Sequence, residues 1–396
     1  SGRKEDYIIL SPDYMWPDAG TGTAQAYGSG EGYSLVSFFG KFNYNFADRY
    51  MASLTMRRDG SSRFGKDNRY ATFPSVSAGW RINNERFMRA TNSWLDDLKL
   101  RASWGQTGNQ EISNLARYTV YVSNYGVNES GGQSYGTSYD IAGTNGGQTL
   151  ASGFKRNQLG NNNIKWETTT QTNFGVDYAL FNNSLYGSFD WYFKKTKDIL
   201  VQMAGIAAMG EGSSQWINAG EMENKGYEFN IGYRKTTKWG LRYDINANIG
   251  AYRNKITKLP TTVAAAGTFG GNGVKSVIGH AMGSQVGYVA DGIFKSQDEI
   301  DNHATQEGAA LGRIRWKDLN KDGKITEADQ EWIYDPTPDF TYGFNIYLEY
   351  KNFDFTAFFQ GVQGVDIISD LKKETDIWAG LNIGFLNKGR RLLDAW

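Results

Sequence analysis

The 396 residues carry 42 Lys+Arg against 42 Asp+Glu, and this zero balance argues against nucleic acid as the main partner. There is no Cys and only two His, His280 and His303, which leaves no disulfide framework, no thiolate metal site and no His-based metal centre. No run of about 18 apolar residues forms a transmembrane helix, yet 48 Gly, 6 Pro and 15% aromatics suit a β-barrel, whose spans alternate and keep mean hydropathy low.

In chain order, residues 1–33 read as loop. The start, SGRKEDYIIL, has no charged n-region followed by an apolar core, so no signal peptide is expected and the chain is either mature or a piece of something longer. The first strong alternation is Phe38, Gly40, Phe42, Tyr44 and Phe46, with Lys41, Asn43 and Asn45 between them. A three-residue turn at 47–49 returns the chain into Tyr50, Ala52, Leu54 and Met56. After a polar loop, Pro74 is expected to open a strand carrying Val76, Ala78, Trp80 and Ile82. Residues 84–97 suggest about one helical turn, before Leu98, Leu100, Ala102 and Trp104. A Gly/Asn/Ser/Tyr stretch covers 106–164. Phe174 to Leu180 and Leu185 to Phe193 then form a hairpin, and so do Tyr227 to Tyr233 and Leu241 to Ala251. The longest loop, 255–339, precedes a last hairpin over Phe340–Gly361, with its turn at Lys351 and Asn352.

This makes ten strands whose connections alternate strictly between short and long. Antiparallel strands crossing a bilayer do this, with tight turns on one side and long loops on the other. A soluble sandwich also alternates apolar and polar residues, but three features favour the membrane. Most strands reach about ten residues, beyond the usual five or six. Aromatics at outward positions, namely Trp166, Tyr178, Trp191, Tyr227, Tyr233, Trp239, Tyr342 and Tyr350, fit interfacial girdles. The other face carries Lys99, Arg101, Asp177, Asp190, Lys194, Glu228, Asp244, Glu349 and Asp354, a density of charge that suits a wet lumen. The expected fold is all-β: an antiparallel transmembrane barrel section with long extracellular loops. Its parts are a loop segment at 1–33, strands and loops at 34–363, and the start of a further loop at 364–396.

Five segments carry a family resemblance: RRDGSSRFGKDNRYATFPSVSAGWRI (57–82), LKLRASWGQTGNQEI (98–112), IKWETTTQTNFGVDYALFNNSLYGSFDWYFKKTKDIL (164–200), NAGEMENKGYEFNIGYR (218–234) and DLNKDGKITEADQ with PDFTYGFNIYLEYKNFDFTAFFQG (318–361). Together they resemble the barrel of a SusC/RagA-type TonB-dependent transporter from about residue 33 onward. The resemblance implies a bacterial outer-membrane importer of about 22 strands with an N-terminal plug domain. It implies a SusD-like surface lipoprotein as lid and TonB, acting through the plug, as the source of energy. The implied cargo is an oligosaccharide or a peptide. The sequence departs from the pattern in showing no plug, no TonB-contacting segment, no early barrel strands and no final ones. Ten strands do not close such a barrel, so an internal section is expected, with a self-closed ten-strand barrel as the alternative.

One motif stands out chemically. Asp318, Asn320, Asp322, Gly323, Lys324, Ile325, Thr326 and Asp329 match an EF-hand-type loop. That spacing gathers side-chain oxygens of Asp318, Asn320, Asp322 and Asp329 and the Lys324 carbonyl around one Ca²⁺. No flanking helices are evident, so the expected role is structural, rigidifying the 255–339 loop. Tyr118, Tyr121, Tyr125, Tyr135, Tyr139 and Phe154 lie among Gly, Ser and Asn, a composition that suits binding surfaces and stacking on sugar rings. The apolar mix VQMAGIAAMGEGSSQW (201–216) is a candidate contact for the lid. No P-loop, nucleophile elbow or Ser/His/Asp set is present, so no enzyme activity is expected. The functional alternatives are a passive porin and a calcium-dependent surface adhesin.

Overall fold

The structure, a computed structural model, describes residues 32–123, 154–203 and 214–369 continuously, with short isolated pieces outside them. Ten antiparallel strands form one sheet in sequence order: β1 Leu35–Phe46, β2 Tyr50–Ser61, β3 Tyr70–Arg81, β4 Leu95–Asn109, β5 Glu167–Leu180, β6 Leu185–Lys197, β7 Glu221–Thr236, β8 Arg242–Lys258, β9 Phe340–Tyr350 and β10 Phe353–Gln363. All ten expected strands are present. Lengths run from 11 to 17 residues, so the longest continue past the roughly 9–11 that a bilayer requires. β1 and β10 pair only with β2 and β9. The self-closed ten-strand alternative is thereby excluded among the described residues, and both edges of the sheet await further strands.

Register fixes the two faces. Phe38, Leu54, Ala78, Ala102, Phe174, Phe189, Tyr227, Ile249, Tyr342 and Phe359 share one face across the pairs that link all ten strands. Among the described residues nothing covers that face. Phe174, in the middle of the sheet, is 53% exposed, and Phe353 is 78% exposed. A soluble protein would bury such a face beneath a second layer. Here it meets lipid.

Two boundaries and one girdle assignment differ from expectation. Pro74 lies inside β3, which begins at Tyr70. β4 joins β3 only from Ser75, so residues 70–74 have a ladder partner on one side, where a missing N–H is tolerated. The 84–97 connection holds two 3-10 turns, Ile82–Asn84 and Arg86–Thr91, and β4 starts at Leu95. Trp166 is not an interfacial residue. It is buried, its ring lies 5.1 Å from that of Phe64 and 5.7 Å from that of Phe73, and its Nε1 donates to the Arg69 carbonyl.

Apolar cores lie at the long-loop end. One joins Phe64, Phe73, Ile112, Ala116, Ile164 and Trp166. The other joins Val201, Ile256, Leu259, Val263, Phe269 and Val277. The short-turn end is tied by Glu85, which follows β3. Its Oε1 accepts from Tyr50 Oη at 2.6 Å and Trp80 Nε1 at 3.1 Å, and its Oε2 from Arg49 Nη1 at 3.4 Å. These donors, the Tyr50 hydroxyl foremost, hold the Glu85 carboxyl below its usual range. A carboxyl depressed in the fold contributes stability above its unfolded pKa and loses it as pH falls through the folded one. Glu85→Gln in the full-length receptor is therefore expected to lower the melting temperature at neutral pH. That difference should shrink once the pH drops below about 4. Equal melting of the two proteins at neutral pH would contradict the assignment.

Candidate lumenal surface and loop platform

The face opposite the lipid carries the charges expected there, and the register brings them into groups. Lys99 lies across from Asp177, and Arg101 and Asp190 flank Gly175 on either side. Arg101 bridges both carboxylates: Nε and Nη2 reach Asp177 at 2.9 and 2.7 Å, while Nη1 and Nη2 reach Asp190, both at 2.9 Å. Two bidentate contacts from one planar fork explain Arg over Lys at this position. Asp190 faces Glu228 directly, a like-charge pair that would be repulsive without that guanidinium. Glu349 faces Asp354 in the same way, with Arg242 Nη1 3.5 Å from Glu349.

Gly175 makes the Arg101 bridge possible. A Cβ there would lie 2.5 Å from Asp190 Oδ1 and 2.7 Å from Arg101 Nη2. No side chain fits beneath the guanidinium.

Between these groups runs a lining rich in amides and hydroxyls. Asn230 and Asn246 exchange hydrogen bonds at 3.2 Å, and Asn254 donates to Asn224 at 2.7 Å. Tyr186 Oη donates to Asp244 at 2.9 Å. Ser53, Thr55, Ser75, Ser77, Ser103 and Thr107 border a concavity of about 590 Å³ over β2–β4. This surface offers hydroxyls, amides and paired charges to a solute.

Above the wall stands the loop platform. Arg63, buried, donates to Asn114 Oδ1, the Gln110 carbonyl and Glu111 Oε1, clasping loop 62–69 to the chain after β4. Strand Ser214–Asn218 pairs in parallel with Phe154–Leu159 and antiparallel with Leu200–Met203. The apolar mix proposed for lid contact is thus turned inward where it is described: Val201 is buried and Ile217 packs against it. Residues 204–213 lie outside the described residues. Of the loop aromatics, Tyr118 and Tyr121 are exposed, and Arg117 stacks on the Tyr118 ring at 4.4 Å. The side chains of Tyr125, Tyr135, Tyr139 and Phe154 lie outside the described residues.

The EF-hand-like segment forms a tight turn with Lys321 and Gly323 at positive φ, 60° and 79°. Asp318 accepts from the Lys321 and Gly323 amides, Asn320 from Asp322, and Asp322 from Lys324. Asp318, Asn320, Asp322 and the Lys324 backbone are thus brought into one turn. Asp329 is placed differently. It is fully buried, its Oδ1 accepts from the Leu319 and Asn320 amides and its Oδ2 from Thr326, bonds that hold its carboxyl below the usual range. Among the described residues no set of three His, Cys, Asp or Glu is grouped for a metal. What the sequence missed here is the platform's packing. The signal was apolar residues that break the strand alternation, such as Phe64, Ile112 and Ile164.

Gly175→Val is expected to splay the Arg101 bridge and destabilise the receptor by about 1–3 kcal/mol. Asp190→Ser should cost less in that background than in wild type, as coupling requires. Additive losses in chemical denaturation of the full-length receptor would contradict the coupling.

The chain matches the family described as TonB dependent receptor-like, beta-barrel, over residues 5–364. It is 37% identical over 369 residues to TonB-dependent receptor P3 of Formosa agariphila, covering 91% of this chain and 34% of that receptor. Against TonB-dependent receptor SusC of Bacteroides thetaiotaomicron it is 34% identical over 331 residues, covering 82% of this chain and 30% of SusC. The solved structure of the RagAB peptide transporter matches with a TM-score of 0.75 and 27% identity, over 98% of this chain and 39% of that one. The chain spans about a third of the length of the curated relatives it matches. With its open ten-strand sheet, bare apolar face and charged opposite face, the chain is an outer-membrane β-barrel section and belongs to the TonB-dependent receptor family, of the SusC/RagA type.

Proposed function

We propose that the chain forms part of the wall and outer loops of an energised importer that takes up oligosaccharides or peptides. In this reading its long loops face outward and meet a SusD-like lipoprotein, its short turns face the periplasm, and TonB acts through a plug domain of the whole receptor. The chain serves as conduit and docking surface, with no catalytic step. The observation that carries this is the pairing of faces: an uncovered apolar face on one side, and hydroxyls, amides and paired charges on the other. Purifying the full-length receptor with its lipoprotein and identifying co-purified solute by mass spectrometry is expected to yield an oligosaccharide or peptide. Uptake in cells should stop when TonB is deleted. Equal flux through the receptor in liposomes lacking any energy source would instead make it a passive pore.

The 318–329 turn is proposed to take one structural Ca²⁺. Asp318, Asn320, Asp322 and the Lys324 carbonyl are the donors, and water completes the shell. Asp329, given as a ligand by its spacing, supports the turn from beneath through the Leu319, Asn320 and Thr326 amides. Calcium is expected to slow proteolysis within 305–330 of the full-length receptor, and Asp322→Ala to abolish that protection. Identical cleavage with calcium and with chelator would overturn the site.

A further inference from the structure

The lipid-facing surface is not evenly ridged. Ala78 of β3 and Ala102 of β4 are directly paired and leave a floor almost without side chains. Trp80, Leu100, Phe174 and Trp191 rise around it and bound an apolar groove of about 630 Å³. Trp80 is level with Leu100 and Val176, and Ala78 with Ala102 and Phe174, so the groove runs across β3–β6 and extends about two residues along each strand.

The mouth is polar and built. Tyr50 Oη and Trp80 Nε1 both donate to buried Glu85, which fixes two rings at the rim of the groove. The chain then enters the 3-10 turn Arg86–Thr91. Side chains three apart eclipse in such a turn, so Arg86 and Arg89 share one side. Both are exposed, and Phe87 between them is 67% exposed. The nearby carboxylates are already engaged: Glu85 by Arg49, Asp48 and Asp97 by Arg81, and Asp96 by the Asn183 amide. Among the described residues Arg86 and Arg89 have no carboxylate partner. Two uncompensated cations thus lie in the turn that directly follows Glu85, the residue bonded to the groove's rim.

We propose that this is a binding site for an anionic glycerophospholipid, with one acyl chain over Ala78 and Ala102 and the phosphate on Arg86 and Arg89. The assignment to the periplasmic leaflet rests on the orientation proposed above; the lipid class does not. The site would anchor the middle of the sheet at the short-turn interface.

The test uses the full-length receptor in mild detergent, offered phosphatidylglycerol or phosphatidylcholine of the same chains, with retained lipid counted by native mass spectrometry. One phosphatidylglycerol should persist where phosphatidylcholine is stripped. The double variant Arg86→Gln/Arg89→Gln should weaken phosphatidylglycerol retention roughly thirtyfold, the effect of two basic residues near an anionic lipid surface. Ala102→Phe, which fills the floor, should lose the retained phosphatidylglycerol. Heat-modifiable gel mobility reports that each variant still forms the barrel. Equal retention of the two lipids by wild type, or wild-type retention by both folded variants, overturns the proposal. Neither readout depends on cargo, so failure here is distinct from failure of the transport reading.

Discussion

Everything in this molecule follows from one demand: in hydrocarbon, each backbone N–H and C=O needs a protein partner. An unsatisfied group costs several kcal/mol there. The register answers this for nearly the whole sheet, since β2 through β9 are laddered on both sides. It leaves β1 and β10 each with one bare edge. Edges of 11 and 12 residues could not persist in lipid, so the ten strands are stable only as an arc of a larger closed wall. The same demand keeps irregular backbone out of the spans. The 3-10 turns, the parallel strand pair and the positive-φ residues of the calcium-type turn all lie at the two ends.

A barrel section cannot build a core in its wall, because one face meets lipid and the other water. Its dry cores are therefore displaced to the long-loop end, where Phe64, Phe73, Ile164 and Trp166 close one cluster and Ile256, Val263 and Val277 another. The strands that run past the membrane supply part of each cluster: Phe73 comes from β3 and Ile256 from β8. Loop packing is in this way continuous with the wall. Among the described residues the long-loop end is consequently a packed platform joined to the wall.

The wall was legible in the sequence because period-two alternation is a local property that no tertiary contact overrode. Phe38 to Phe46 and Tyr342 to Tyr350 could be assigned to a face one residue at a time. Connection lengths added the sidedness. What the sequence hid was long-range. Trp166 reads like a girdle residue, since an aromatic at a strand end is the girdle signal. Only its approach to Phe64 and Phe73, about a hundred residues away in the chain, shows it to be core. Asp329 fits a ligand position by spacing, while the amides that occupy its oxygens become visible only in three dimensions. Gly175 gave no signal at all, because its reason lies on the two neighbouring strands.

The lumenal charges bear on how a solute is selected. A charged wall can steer ligands from a distance only when its charges are unbalanced and unscreened. Here Arg101 answers Asp177 and Asp190, Lys99 stands 3.9 Å from Asp177, and Arg242 answers Glu349. Pairing at this range weakens the field of these groups, while Glu228 and Asp354 on the same face join no ion pair among the described residues. A passing solute then meets hydrogen-bonding groups: the asparagine pairs of β7 and β8 and the hydroxyls of β2–β4. These hydroxyls and amides are groups that the proposed cargo, an oligosaccharide or a peptide, could hydrogen-bond.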